Sequence, residues 1–362
     1  MGIKDLNAFV KKYAPSAFKV IPFSSFKNTR IAVDTTLITY ASMCAMYTSF
    51  IEKEMTHAQL LSLDYQSAIE PNLFSIRAKA CDRITSIAHT FISNQMQPIF
   101  IFDGVSVDEK NAHAREKRKE RRDAIKSKVD ALRQQLLDTD PFQRREDDFT
   151  ALRKLLKQSP PINVERDIAY VREYIEGVIG IRTYTAPDEA EKLCSYLANT
   201  GFASAAFTTD TDSYAFGAPL VVQFSQTSWK SFNVVVIPVI LRDLNLTHSQ
   251  FVDLCIMFGC DFNSRIAGVG PEKSWKLISK ALLENKTLPH LIEHAVINFN
   301  EDVSCLNYIR CREIFKFDDK FKNKVSVINF EIRIQINSKH PKIESALENF
   351  NPGEIMDVTF YR

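Results

Sequence analysis

Apolar and polar residues follow two periods along this chain, and the switches between them predict its elements. Runs of buried-strand character cover Arg30–Asp34, Pro98–Asp103, Ile181–Thr185, Ala203–Phe207, Val221–Phe224 and Val234–Val239, the last two as a hairpin. Helical spacing covers Lys4–Tyr13, Thr35–Tyr47, residues 165–179, Thr247–Phe258 and Ser274–Leu283. It is clearest at 73–94, where Leu73, Ile76, Ala80, Ile84, Ile87 and Phe91 share one stripe. Residues 50–72 read as a connection with some helix and 287–320 as polar helix, while Ile328–Asn337 alternates strictly, as a half-buried strand does. Strands alternating with helices predict an α/β fold with a mostly parallel central sheet flanked by helices.

The chemistry gathers where strands end. Arg30–Asp34 and Pro98–Asp103 both finish on an aspartate. The stretch 184–212 adds two pairs, Glu189/Glu191 at a helix start and Asp210/Asp212 just past the Ala203–Phe207 strand. If the backbone stays extended there, Asp210 and Asp212 point to the same side. Open parallel sheets bind ligands at this end of their strands, and paired carboxylates suit hard divalent cations. The same residues also fit a plainer account. Asp188 as N-cap with Glu191 three residues on makes a capping box, and Asp210 and Asp212 can close a turn.

Composition narrows the classes. A 45% hydrophobic fraction over 362 residues fills a substantial core, and the net charge of +2 selects no partner. The longest apolar run, Val234–Leu241, is too short to span a bilayer, so no membrane partner is expected. MGIKDLNAFVKKY lacks the apolar stretch of a signal peptide. Leu6 stands where N-myristoylation needs Ser or Thr. Seven cysteines without a CxxC pair make neither a zinc spacing nor a secreted disulfide framework, which places the protein inside the cell with reduced thiols.

Charge is uneven along the chain. Residues 110–128 carry nine Lys/Arg against three acids, with Lys110, Lys117, Arg118, Arg121 and Lys128 on roughly one helical face beside Arg115 and Arg122. Such a run is often only a solvated face. This one begins seven residues after Asp103, where positive charge suits an anionic polymer held beside metals. Ile125, Val129, Leu132 and Leu136 form a packing stripe, and the polar excursion to Pro160-Pro161 suggests a lid or arch. Farther on, Gly268-Val-Gly270 precedes a helix with Lys273 and Lys276 in its first turns. Glycines there let a backbone approach phosphate closely, although a tight interhelical turn needs the same residues.

Five ordered motifs, IAVD (31–34), IFIFDG (99–104), APDEAEKL (186–193), TTDTD (208–212) and FVDLCIMFGCDFNSRIAGVGPEKSWKLI (251–278), resemble those of the flap endonuclease family of structure-specific 5′ nucleases. The resemblance runs from the N-terminus to about residue 285. It implies hydrolysis of DNA phosphodiesters near single-strand/double-strand junctions, as a 5′ flap endonuclease and 5′–3′ exonuclease, with two Mg²⁺ ions or Mn²⁺ in their place. It also implies that Asp34, Asp103, Glu189, Glu191, Asp210, Asp212 and Asp261 hold the metals. Lys110 matches the family's catalytic lysine; the arginine farther along that helix has Lys117 nearest, with Arg118 beside it. Tyr40 matches a base-stacking tyrosine, Gly2 an N-terminal glycine near the site, and Gly268 and Gly270 a duplex-gripping hairpin that takes a potassium ion.

The resemblance divides the chain into 1–104 and 161–246 as the nuclease α/β domain, 105–160 as a helical arch, 247–320 as a duplex-binding region and 321–362 as a C-terminal extension with a strand. The implied partner is branched or nicked DNA bound by a monomer, in the nucleus or at a site of viral DNA replication. Glu354 and Asp357 stand where a sliding-clamp motif needs glutamine and an aliphatic residue before Phe360-Tyr361, so ordinary clamp binding is not expected. That departure suits a divergent member, from a large DNA virus or an unusual eukaryote. The alternatives are a relative preferring gaps, nicks or four-way junctions, and a non-catalytic junction-binding scaffold.

Overall fold

The computed structural model describes residues 2–105, 108–228, 230–284, 287–297 and 302–332, without the side chains of 65–66, 108–115 and 117–118. The chain forms two compact units, Met1–Thr35 with Thr90–His113 and Tyr184–Arg362, and Thr36–His89 with Ala114–Thr183.

The first unit is built on a seven-stranded sheet. Its strands are β1 (Phe18–Pro22), β2 (Arg30–Asp34), β3 (Gln97–Phe102), β4 (Thr183–Thr185), β5 (Ala205–Phe207), β6 (Leu220–Phe224) and β7 (Ser231–Val236), in the order β1-β7-β6-β5-β2-β3-β4. The β2–β3, β2–β5 and β5–β6 pairs are parallel, while β6–β7 and β7–β1 are antiparallel. Every residue of β2 and β3 is buried, which is why these strands read as continuous apolar runs. Phe26, Phe91, Phe207, Phe224 and Phe232 meet in edge, tilted and stacked contacts with centroids 4.8–6.3 Å apart.

The second unit has its own core. Met43, Tyr47 and Phe50 pack with the stripe Ile125, Val129 and Leu136 and with Phe149, Leu152 and Leu156. The stripe lies on a 31-residue helix, Asp108–Asp138. Buried Asp167 pairs with Arg77 at 2.9 Å.

Several expectations are corrected. The strand expected over Val234–Val239 ends at Val236, and Ile237–Leu244 is a helix. Pro238 sits in its first turn, where its fixed φ suits a helix and its missing N–H costs nothing. β1 carries no strong apolar signal and lies at a sheet edge with a largely exposed pattern. Over 287–297 and 302–320 the described residues hold only short helices, among them Ile292–Ala295 and Tyr308–Ile314. The alternating segment has no strand over 328–332, and 333–337 lie outside the described residues, as do Glu354, Asp357 and Phe360-Tyr361. Phe330 packs instead on Tyr184 and Phe202, and the backbone of Glu331 bonds Tyr184 and Gln97 side chains rather than a strand.

Candidate functional site

Strand register brings the acidic residues to one end of the sheet. Val33 lies opposite both Phe100 and Phe207, so the parallel strands β2, β3 and β5 finish nearly level. Asp34 closes β2, Asp103 follows β3, and Thr208, Asp210 and Asp212 follow β5. Gly104 lets the chain after Asp103 press against 186–188: its N–H donates to Asp188 O at 2.7 Å, and an added Cβ would lie 1.9 Å from Ala186 O. This contact sets the start of the Ala190–Asn199 helix beside Asp103, whose Oδ1 accepts from Ala190 N–H at 2.8 Å.

The capping box expected from Asp188 and Glu191 is therefore absent. Glu189 is the N-cap and makes no side-chain cap bond. Asp188 spends its carbonyl on Gly104 and its carboxylate on Lys192, 3.0 Å away. Asp103 caps the helix from another strand, which leaves Glu189 at the N-cap and Glu191 in the first turn. Both are buried, at 4% and 5% exposure.

The extended backbone expected between Asp210 and Asp212 is also corrected. Thr211 is helical, and Asp212 opens a short helix, Asp212–Ala215. Asp210 Oδ1 accepts the Asp212 N–H at 3.0 Å, a carboxylate-closed turn. Thr208 Oγ1 donates to Asp34 Oδ2 at 2.8 Å and accepts from Asp210 N–H at 3.0 Å, tying the ends of β2 and β5 together. Sequence patterning gave Thr208 no role, because a threonine after a strand has no distinguishing signal. Gly2, buried with φ +85°, fits against this turn, where a Cβ would stand 2.1 Å from Asp210 Oδ1 and 2.8 Å from Thr211 Oγ1.

Electrostatics reports the same convergence. Burial, and then the charges of Asp34, Glu191 and Asp103, push the Cys194 thiol well above its ordinary value. Burial followed by Asp212 does the same to Cys255. Asp34, Glu189, Glu191, Asp210 and Asp212 are all at most 6% exposed, whereas Asp103 is exposed and Asp261 intermediate. Among the described residues, no three acidic, histidine or cysteine side chains close around one point as a finished ligand cage does. The donor set itself suits hard cations: it is all oxygen, and buried like charges lower one another's stability unless positive charge offsets them.

The remaining candidates are spread more widely. The backbones of Lys110, Arg115, Lys117 and Arg118 belong to the Asp108–Asp138 helix, their side chains lying outside the described residues. Arg121 and Arg122 on that helix are exposed. Tyr40, on the Thr35–Lys53 helix, is 39% exposed. Gly268 has φ +69° and open space at its Cβ position, and with Gly270 it leads into the Pro271–Glu284 helix, where Lys273 and Lys276 are exposed. The preceding loop is held by Asn263, which accepts from Cys260 N–H at 2.8 Å and donates to Ile256 O and Leu306 O.

An XPG N-terminal domain matches residues 1–125, and an XPG I-region matches 180–261. Flap endonuclease 1 of Saccharomyces cerevisiae is 29% identical over 286 residues, 77% of this chain and 65% of that protein. Flap endonuclease 1 of Caenorhabditis elegans is 29% identical over 323 residues, covering 87% of this chain and 74% of the relative. The chain thus spans about two thirds of the yeast relative's length. The solved flap endonuclease-1 from Methanococcus jannaschii has a similar fold, with a TM-score of 0.51 at 18% identity over 96% of this chain and 94% of that one.

Proposed function

The chain belongs to the flap endonuclease family of structure-specific nucleases, and from that premise we propose that it is a Mg²⁺-dependent 5′ flap endonuclease and 5′–3′ exonuclease acting on DNA in replication, repair or recombination. The observation that carries the reading is the gathering of Asp34, Asp103, Glu189, Glu191, Asp210 and Asp212, all but Asp103 buried, at the level ends of β2, β3 and β5. Asp34, Asp103, Glu189, Glu191, Asp210, Asp212 and Asp261 would hold two ions. When bound, such a pair supplies a hydroxide nucleophile and stabilises the leaving oxygen of the phosphodiester.

The chain's own residues then have separate tasks. Thr208 fixes Asp34 against Asp210, and Asp103 fixes the helix that presents Glu189 and Glu191. Lys110 opposes charge developing on the scissile phosphate, with Lys117 or Arg118 as its helper. Arg115, Arg121 and Arg122 hold the DNA backbone by charge, as do Lys273 and Lys276 beside Gly268 and Gly270, where a potassium ion could join the phosphate contact. Tyr40 stacks on a terminal base. The stretch 105–160 acts as the arch and 247–320 as the duplex-binding region.

The test is a fluorescently labelled 5′-flap duplex incubated with Mg²⁺ or EDTA, beside nick, gap, blunt-duplex and four-way-junction substrates. Metal-dependent cutting near the flap base, lost in Asp210→Ala with DNA binding retained, is the expected result. Binding without cutting under any divalent ion would instead leave a junction-binding scaffold.

A further inference from the structure

The N-terminal segment touches two places that the proposed reaction must hold in register. One is the Asp210–Asp212 turn and the short helix after it. There Ile3 O accepts from Thr211 Oγ1 at 3.2 Å, and Asn7 Oδ1 accepts from Tyr214 OH at 2.8 Å. The other is the loop leading to Gly268 and Gly270. Lys4 N–H donates to Gly259 O at 3.0 Å, and the Asp5 carboxylate pairs with Arg265 at 2.9 Å. Beyond these, Phe9 packs edge-on against Phe258 and Trp275, and Lys12 and Tyr13 both reach Glu272, the second residue of the Pro271–Glu284 helix.

Asp5 is the telling residue. It directly precedes the Leu6–Tyr13 helix, where an aspartate ordinarily turns its carboxylate onto the first free N–H groups. Here it makes no cap bond, and its backbone is left-handed at φ 59°. Both local departures accompany one long-range ion pair. That pair is worth little as stability, because its side chains are 59% and 29% exposed. A geometric role accounts for it better than a stabilising one.

We infer that Asp5 and Asn7 are positioning residues that, through Arg265 and Tyr214, set the spacing between the Gly268–Gly270 hairpin and the acidic strand ends, and so select which phosphodiester is cut. The inference rests on the nuclease reading. A duplex gripped at the hairpin acts as a ruler with a step of roughly 3.4 Å per nucleotide along one strand. A displacement of ~1 Å between grip and site costs on the order of a hundredfold in rate, and a larger one presents the neighbouring phosphate.

The experiment uses the full chain and an end-labelled 5′-flap duplex in Mg²⁺, with products resolved to single nucleotides. DNA affinity in Ca²⁺ and the melting temperature are measured alongside. Asp5→Ala and Asn7→Ala should each slow single-turnover cutting roughly tenfold and spread the cut to adjacent phosphodiesters. Affinity should stay within about twofold and melting within a few degrees. The exchanged pair Asp5→Lys with Arg265→Glu should bring the single cut position back. Retention of one cut position in both single variants overturns the inference, whether the rate falls or not. Failure of the exchanged pair to restore the cut position also overturns it. If the wild-type protein cuts none of these DNAs, the nuclease reading falls and takes this inference with it.

Discussion

At Asp253 and at the strand ends the protein buries carboxylates, but it surrounds them differently. Asp253 is fully buried on the His248–Phe258 helix and accepts from Leu291 N–H and Ile292 N–H at 2.6 and 3.1 Å. Arg312 grips it through Nε and Nη2 at 2.7 and 2.8 Å and reaches Glu293 through Nη1 and the same Nη2. Burial works against the Arg312 charge, yet its bonds to Glu293 and Asp253 raise its pKa above the ordinary value. At the strand ends, Asp34, Asp103 and Asp210 accept hydrogen bonds from a hydroxyl and from backbone N–H groups, and the charges of Asp34, Glu191 and Asp103 all act on Cys194. A carboxylate facing a buried arginine belongs to the scaffold. Carboxylates gathered with one another are suited to cations from outside.

Substitutions of like kind should therefore act in opposite directions. Asp253→Ala leaves Arg312 buried and half-paired, and should cost about 3–5 kcal/mol in chemical denaturation. Asp210→Asn keeps an oxygen for the Asp212 N–H while removing one of the crowded charges. Without divalent ions it should melt at or above the wild-type temperature. Mg²⁺ at a hundred times its dissociation constant should raise wild-type stability by about 2.7 kcal/mol and Asp210→Asn by much less. If Asp210→Asn destabilises the metal-free protein as Asp253→Ala does, the contrast between the two clusters is broken.

Gly2→Ala tests the packing on the acidic side. A methyl group there would meet Asp210 Oδ1 at 2.1 Å on a left-handed backbone, so the turn must shift. Cleavage should fall roughly tenfold or more, by analogy with other small displacements of catalytic groups, with less than about 2 kcal/mol lost in stability.

The smallest effect concerns Glu293. Its bond to Arg312 lowers its pKa against the pull of burial. A folded-state pKa below the unfolded one contributes stability that is present above the unfolded value and lost as pH falls through the folded value. The gap in melting temperature between wild type and Glu293→Gln should thus be full near neutrality. It should close below about pH 4, where glutamate ordinarily titrates. A gap that does not change with pH would mean that charge is not what Glu293 contributes.

What the sequence determined by itself was local or periodic. The all-buried strands β2 and β3, each ending beside an aspartate, follow from uninterrupted apolar runs. The helix that follows Thr247 and the Ile125–Leu136 stripe follow from spacing. The acidic residues were legible because their order and neighbours are distinctive. Tertiary structure alone decided the long-range pairings. Asp103, 87 residues away, caps the Ala190–Asn199 helix in place of Asp188. Asp5 leaves its own helix uncapped for Arg265, and Thr208 joins two strands that are 174 residues apart where it touches Asp34. A side chain with several acceptable partners takes the one that sheet register and packing bring near, and no local rule contains that information.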